Sequence, residues 1–188
     1  AYNGHEIKYP DTRLIYWAGG NPFHHHQDLN RLCEAWRKPE TVIVNEPWWT
    51  PVAQWADIVF PATTQLERED ICASSHDPYV HIMEAAIPPQ HNARSDHEKF
   101  KGLAEKLGFH QAFTEGKTDR EWLADMWHRS QVTAKTQGFQ LPNFDQFWED
   151  KQHRIPDDTE RKVWLGAFRE NPEKNKLSTP SGKMKHCH

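Results

Sequence analysis

The chain has 188 residues, a formal charge of −4 and 36% apolar residues, which suits one α/β domain and a tail rather than several domains. No basic stripe marks a nucleic-acid surface, and no apolar run approaches the ~20 residues needed to span a bilayer. Three cysteines without CxxC spacing argue against a disulfide framework, while nine tryptophans supply apolar area for a core.

The first predicted element is an apolar strand from Thr12 to Ala18 that stops at Gly19-Gly20-Asn21-Pro22. Asp28 to Lys38 follows, with Leu29, Leu32, Cys33 and Trp36 at i, i+3, i+4 and i+7, the pattern of an amphipathic helix. Cys33 on that stripe reads as a small core residue. A second strand, Thr41 to Val44, delivers Asn45 and Glu46, and a third, Asp57 to Phe60, ends in Pro61-Ala62-Thr63-Thr64. Strand, glycine turn, helix, strand, acidic residue is the grammar of a mononucleotide-binding βαβ unit. Glycine at position 20 lets backbone approach a phosphate with no Cβ in the way. A carboxylate at Glu46 can accept both hydroxyl protons of a ribose, although it follows Gly20 at somewhat more than the usual ~20 residues. The full Gly-x-Gly-x-x-Gly fingerprint is absent, which disfavours a standard nicotinamide or flavin site. Taken alone, the spacing also fits a buried strand ending in an ordinary turn.

Further along, Thr50-Pro51 reads as an N-cap with proline at the first helical position, opening a short helix through Trp55 and Ala56. Val80 to Ala85 reads as a strand leading into Ile87-Pro88-Pro89. Ser95-Asp96-His97-Glu98 is a capping box before Phe100, Leu103, Ala104 and Leu107, stopped by Gly108. Thr118-Asp119-Arg120-Glu121 repeats the device before Leu123, Met126, Trp127 and Ser130. Phe144, Phe147 and Trp148 predict one more short helix. Beyond Asp150 the composition turns polar, with Trp164, Leu165 and Phe168 as its only apolar anchor, too little to offset roughly 1–2 kcal/mol of ordering per residue.

Several blocks carry a family resemblance, and they occur in family order from Tyr9 to Lys183. Trp17-Ala18-Gly19-Gly20-Asn21-Pro22-Phe23-His24-His25-His26-Gln27-Asp28 resembles the nucleotide loop of bacterial molybdenum oxidoreductases, with the dimethyl sulfoxide, trimethylamine N-oxide and biotin sulfoxide reductases the most similar group. The likeness continues through Lys38 to Val44, Trp49-Thr50-Pro51, Ala56 to Thr64, Glu67-Arg68, Ala93-Arg94-Ser95-Asp96 and Thr179-Pro180-Ser181-Gly182-Lys183.

That resemblance implies the third domain of a larger enzyme, cradling one molybdopterin guanine dinucleotide of a molybdenum bis-dinucleotide centre. The implied fold is a three-layer α/β/α, Rossmann-like domain with a mostly parallel sheet over residues 1–150. Residues 151–188 are then an irregular polar segment leading to another domain. The implied parent removes oxygen from an S-oxide or N-oxide, and its other domains are the partners of this one. The serine that ligates molybdenum in such reductases has no counterpart here, nor do iron–sulfur cysteines, so no residue is expected to be catalytic or to bind metal. Family members occur in periplasm and cytoplasm, which leaves the compartment open. A competing expectation is a non-catalytic nucleotide-binding or regulatory module, and a third is a histidine-rich metal carrier.

By resemblance, Asn21 and His25 flank the phosphates, Glu46 holds the guanosine ribose and Arg68 lies near the dinucleotide. Asp96 matches a family aspartate that accepts from guanine N1–H and its amino group. Each residue also admits a plain structural reading: Glu46 a solvated strand end, Arg68 a surface ion pair with Glu67 or Glu69, Asp96 a helix-start carboxylate favoured by the dipole, Asp57 a turn residue. Three consecutive imidazoles cannot all face one metal from regular backbone, so His24 and His26 read as packing or surface residues. After Lys183 the sequence departs from the family pattern, and His186-Cys187-His188 reads as a frayed end.

Overall fold

The computed structural model describes residues 6–74, 77–156 and 163–184. Its first sheet is parallel, in the order β1 (Leu14–Ala18), β2 (Thr41–Glu46), β3 (Ile58–Pro61). These are the three apolar runs expected from the sequence. Register aligns Trp17 with Val44, Ala18 with Asn45, Asn45 with Phe60 and Glu46 with Pro61. The glycine turn, the Asn45-Glu46 pair and the Pro61–Thr64 segment therefore emerge side by side at one edge of the sheet. Beyond β3 the ladder continues as a single parallel bridge between Ala62 and Arg94.

Strand alternation places Ile15, Trp17, Val42 and Val44 on one face. There they pack with Phe23 of α1 (Pro22–His25), Leu32, Cys33 and Trp36 of α2 (Leu29–Trp36), and Val52 of α3 (Pro51–Gln54). Asp28 caps α2 by accepting from the Arg31 amide at 3.0 Å. Leu29, expected on the apolar stripe, is the first residue of α2 and is instead 44% exposed. Leu14, Tyr16, Ile43 and Phe60 line a cleft with α4 (Asp96–Lys106) on the other face, where the Tyr16 ring lies 5.3 Å from that of Phe100. At the start of α4 the Ser95 hydroxyl accepts from the Glu98 amide at 3.1 Å, the forward half of the expected box.

A second, antiparallel sheet was only partly anticipated. Its central strand β5 (Asp77–Met83) overlaps the strand expected from Val80, but β4 (Asp70–Ser74) and β6 (Gln152–Arg154) flank it on either side. Strand β6 falls past Asp150, in the stretch expected to be irregular. An edge strand pairs through its backbone, so the polar Gln-His-Arg sequence is no obstacle. Helices α6 (Asp119–Thr136) and α7 (Phe144–Asp150) cover this sheet, and α5 (His110–Thr114) precedes them. Here Ile82, Leu123, Trp127, Phe147 and Trp148 form a separate core. Phe147 is wholly buried, and its ring stacks on Trp127 at 3.8 Å and 8°.

The Thr118 box is complete. Thr118 donates to Glu121 Oε2 through its amide at 2.8 Å and its hydroxyl at 2.7 Å, and the Glu121 amide donates back at 3.3 Å. Thr118→Ala is expected to lower the unfolding free energy by about 0.5–2 kcal/mol, read as a shift in urea midpoint at constant slope.

Chain contacts divide the molecule into two compact units, Ala1–Arg154 and Ile155–His188. In the second, α8 (Gly166–Glu170) accepts a bond from Asn175 Nδ2 to the Ala167 carbonyl at 2.8 Å. Trp164, expected as an anchor, is 86% exposed, since the left-handed Leu165 (φ 56°) turns the chain between it and the helix. Leu165 and Phe168 are half-buried. Residues 186–188 lie outside the described residues.

Candidate functional site

A cleft of about 950 Å³ opens at the carboxyl ends of the parallel strands, lined by Gly19, Gly20, Asn45, Glu46, Trp48, the 61–68 segment, Gln90 to Ala93 and Asp96. That volume is at the upper end of the ~300–1,000 Å³ usual for small-molecule sites. Of the residues singled out from sequence, Gly20, Asn45, Glu46, Arg68 and Asp96 lie on its wall, whereas Asn21 and His25 belong to the adjoining glycine turn.

Both glycines are left-handed, with φ of +86° at Gly19 and +69° at Gly20, a conformation that L side chains resist. A Cβ at Gly19 would meet nothing within 4 Å, so bare backbone faces open space there. The indole nitrogen of Trp17 donates to the Gly20 carbonyl at 3.0 Å while its ring packs edge-on to Trp36 at 5.4 Å, which ties the turn to the core. Asn21 caps α1 by accepting from the Phe23 amide at 3.2 Å; its Nδ2 is buried with no partner among the described residues. His25 is exposed, with Cε1 3.8 Å from where a Gly20 Cβ would stand.

Glu46 owes its position to a diverted cap. Thr50 precedes α3 as expected but makes no side-chain cap; its hydroxyl donates to Glu46 Oε2 at 3.1 Å, and the Trp48 amide reaches Oε1 at 3.4 Å. Each carboxylate oxygen keeps acceptor capacity for a further donor.

Asn45 is engaged on both ends of its amide. It is 4% exposed, accepts from the Tyr16 hydroxyl at 3.0 Å and donates to Asp96 Oδ1 at 2.9 Å. The Lys99 ammonium also reaches Asp96 Oδ1 at 3.4 Å and the Phe60 carbonyl at 3.3 Å. Burial pushes the Lys99 ammonium below its ordinary value, partly opposed by the Asp96 charge. Asn45 is thus a support that aims Asp96, whose Oδ2 has no partner among the described residues. Asp96 also stands at the first position of α4, so the plain helix-start reading and a ligand role coexist.

Arg68 forms an ion pair with Asp70, not with either neighbouring glutamate. Asp57 is a structural tie: its Oδ2 accepts from the Val42 amide at 2.8 Å, and its amide donates to the Val42 carbonyl at 2.9 Å. Sequence reasoning passed over Thr63, whose hydroxyl is buried with no partner among the described residues on the cleft wall. It also passed over Glu67, the acidic end of a Thr-x-x-Glu pattern that no long helix follows.

The family model for molybdopterin oxidoreductase matches residues 3–106, and the chain belongs to that family. It is 45% identical to a trimethylamine-N-oxide reductase of Haemophilus influenzae over 97% of its own length and 23% of that protein's. Against a biotin sulfoxide reductase of Cereibacter sphaeroides the identity is 44%, covering 97% of this chain and 24% of the relative. A dimethyl sulfoxide/trimethylamine N-oxide reductase of Rhodobacter capsulatus is 42% identical over 96% of the chain and 22% of its own length. The chain thus spans about a quarter or less of the curated relatives it matches. Acetylene hydratase from Pelobacter acetylenicus shares the fold, with a TM-score of 0.54 at 17% identity over 91% of this chain and 21% of that one. No helix among the described residues is long and apolar enough to cross a membrane.

Proposed function

We propose that the cleft binds one molybdopterin guanine dinucleotide, and that the chain acts as the third, cofactor-orienting domain of a molybdenum-dependent reductase of S-oxides or N-oxides. In this reading residues 1–150 form a three-layer, Rossmann-like unit and residues 151–188 lead toward a further domain. The observation that carries it is the sharing of one cleft by two left-handed glycines, Glu46 and Asp96. Bare amides at Gly19 and Gly20 suit a pyrophosphate, with the buried Nδ2 of Asn21, unpartnered among the described residues, as a further donor and His25 beside the turn. Glu46 suits ribose hydroxyls, and the open oxygen of Asp96 suits a base edge with adjacent donors. Arg68 stands on the same wall. When bound, the molybdenum–pterin group supplies the redox chemistry, and the protein supplies orientation and electrostatics.

Titration of the 188-residue chain with GMP and AMP by ligand-observed NMR tests the reading. GMP is expected to bind better than AMP. Glu46→Ala is expected to weaken both nucleotides by the same factor, because both carry the same ribose and a hydrogen bond to a charged acceptor contributes about 1.5–3 kcal/mol. A loss confined to one base would place Glu46 elsewhere than on the sugar.

A further inference from the structure

The most buried carboxylate near the cleft has no role in the binding scheme above. Glu67 is 7% exposed and makes no ion pair among the described residues. Its Oε2 accepts from the Thr64 amide at 2.6 Å and the Thr64 hydroxyl at 2.7 Å, and its Oε1 accepts from the Gln90 amide at 2.7 Å. Those donors lie on two different segments, 61–68 and 88–94, which together form one wall of the cleft. The same segments also meet at Arg94, whose carbonyl accepts from the Thr63 amide at 3.1 Å and whose amide donates to the Pro61 carbonyl at 3.2 Å; just upstream of 88–94, the Ala86 and Ile87 amides donate to the Leu66 carbonyl at 2.8 and 3.1 Å.

A buried negative charge lining a cleft suited to phosphates is paradoxical until its partners are counted. Every group hydrogen-bonded to the Glu67 carboxylate among the described residues is a donor, and only a carboxylate offers acceptors on both sides with no hydrogen of its own. A glutamine would turn an amide N–H₂ toward either Thr64 or Gln90, setting donor against donor. The backbone amides and the Thr64 hydroxyl hold the Glu67 carboxyl below the usual carboxylate range.

We propose that Glu67 is a positioning residue, an anionic clamp that fixes the Gln90 end of the 88–94 segment against the 61–68 segment, the Arg94 end being held by its own backbone bonds, and so sets the wall on which Thr63, Arg68 and Asn92 meet a bound nucleotide. The proposal rests on the reading of the cleft as a nucleotide site. Its sign follows from the lowered carboxyl: the clamp is complete above the ordinary carboxylate pKa and is lost as pH falls through the depressed value.

The test uses Glu67→Gln and Glu67→Asp in the 188-residue chain, with amide exchange measured without nucleotide and GMP as the binding probe. In Glu67→Gln the Gln90 amide is expected to exchange at least about tenfold faster, by loss of a charge-assisted bond, while the Arg94 amide, bonded to Pro61 at 3.2 Å, is unchanged. GMP affinity is expected to fall by a similar factor with the GMP-to-AMP ratio retained. Protection of Gln90 in the parent should drop at acid pH, and Glu67→Gln should lack that step. Glu67→Asp, which keeps an acceptor-only group, is expected to retain more protection than Glu67→Gln; the reverse order overturns the proposal, as does unchanged Gln90 protection in Glu67→Gln. A released Gln90 amide with unaltered GMP affinity overturns the service to the cleft. A parent chain that binds neither GMP nor AMP overturns the nucleotide reading and the positioning role with it, a failure told apart from that of the clamp by the nucleotide-free exchange.

Discussion

Asp96→Asn is expected to erase most of the preference for GMP over AMP while leaving the fold intact. The structure says why this substitution is clean. Asp96 Oδ1 already accepts from Asn45 Nδ2 and Lys99 Nζ, and the amide oxygen of asparagine can keep both bonds. The remaining position, Oδ2 in the parent, then becomes an N–H₂ group. Guanine presents two adjacent donors, N1–H and the 2-amino group, so it would meet a donor where it needs an acceptor. Adenine presents an acceptor at N1 and loses nothing by the exchange. Loss of a charge-assisted hydrogen bond costs about 1.5–3 kcal/mol, so GMP affinity should fall by an order of magnitude or more with AMP nearly unaffected. Calorimetric titration of both nucleotides against both proteins checks this. Equal affinity for both bases in the parent, or selectivity that survives the substitution, would remove Asp96 from the base site.

The largest expected effect on stability lies in the other core. Phe147→Ala should lower the unfolding free energy by about 3–5 kcal/mol. Phe147 is wholly buried and stacked on Trp127, whose indole nitrogen is fixed to the Pro142 carbonyl at 2.9 Å. The partner ring therefore has little freedom to collapse into the cavity, which favours the upper part of that range. Urea unfolding followed by tryptophan fluorescence reads the change. A loss under about 1 kcal/mol would mean that the site closes up after all.

How much of this was legible depends on the kind of interaction. Strands β1, β2 and β3 are apolar runs bounded by glycine or proline, and they stand where periodicity places them. Strand β6 carries no apolar residue and β4 only the short Ile71-Cys72-Ala73 run between polar ends, and their existence depends on pairing with β5, which is a property of two segments rather than of either one. Helix α5 has Phe109 at its N-cap with no side-chain bond, so it offers no start signal. At the cleft, Glu46 is visible as an acid at a strand end. Its fixing by Thr50 is not, because the Thr50-Pro51 pattern points to a cap that the hydroxyl does not make. Asn45 is visible as a strand-end amide, but its partners Tyr16 and Asp96 are 29 and 51 residues away in sequence, beyond the reach of local spacing. Trp164 misleads for a different reason: aromatic size signals a core only where the backbone turns it inward.

The double duty of Trp17 has a thermodynamic consequence. Its ring packs on Trp36 within the first core, and its N–H donates to the Gly20 carbonyl, so one side chain links the shape of the glycine turn to the packing behind the sheet. A ligand that seats on that turn only in the packed state would stabilise it by RT ln(1 + [L]/Kd), about 2.7 kcal/mol at a hundredfold excess over Kd. By reciprocity, loosening Trp36 from behind the sheet weakens ligand affinity without touching the ligand. On the proposed reading of the turn as part of the cofactor cleft, cofactor loading would double as a folding checkpoint: a chain that has not closed its tryptophan cluster would not hold its cargo, and a chain that holds it would resist opening.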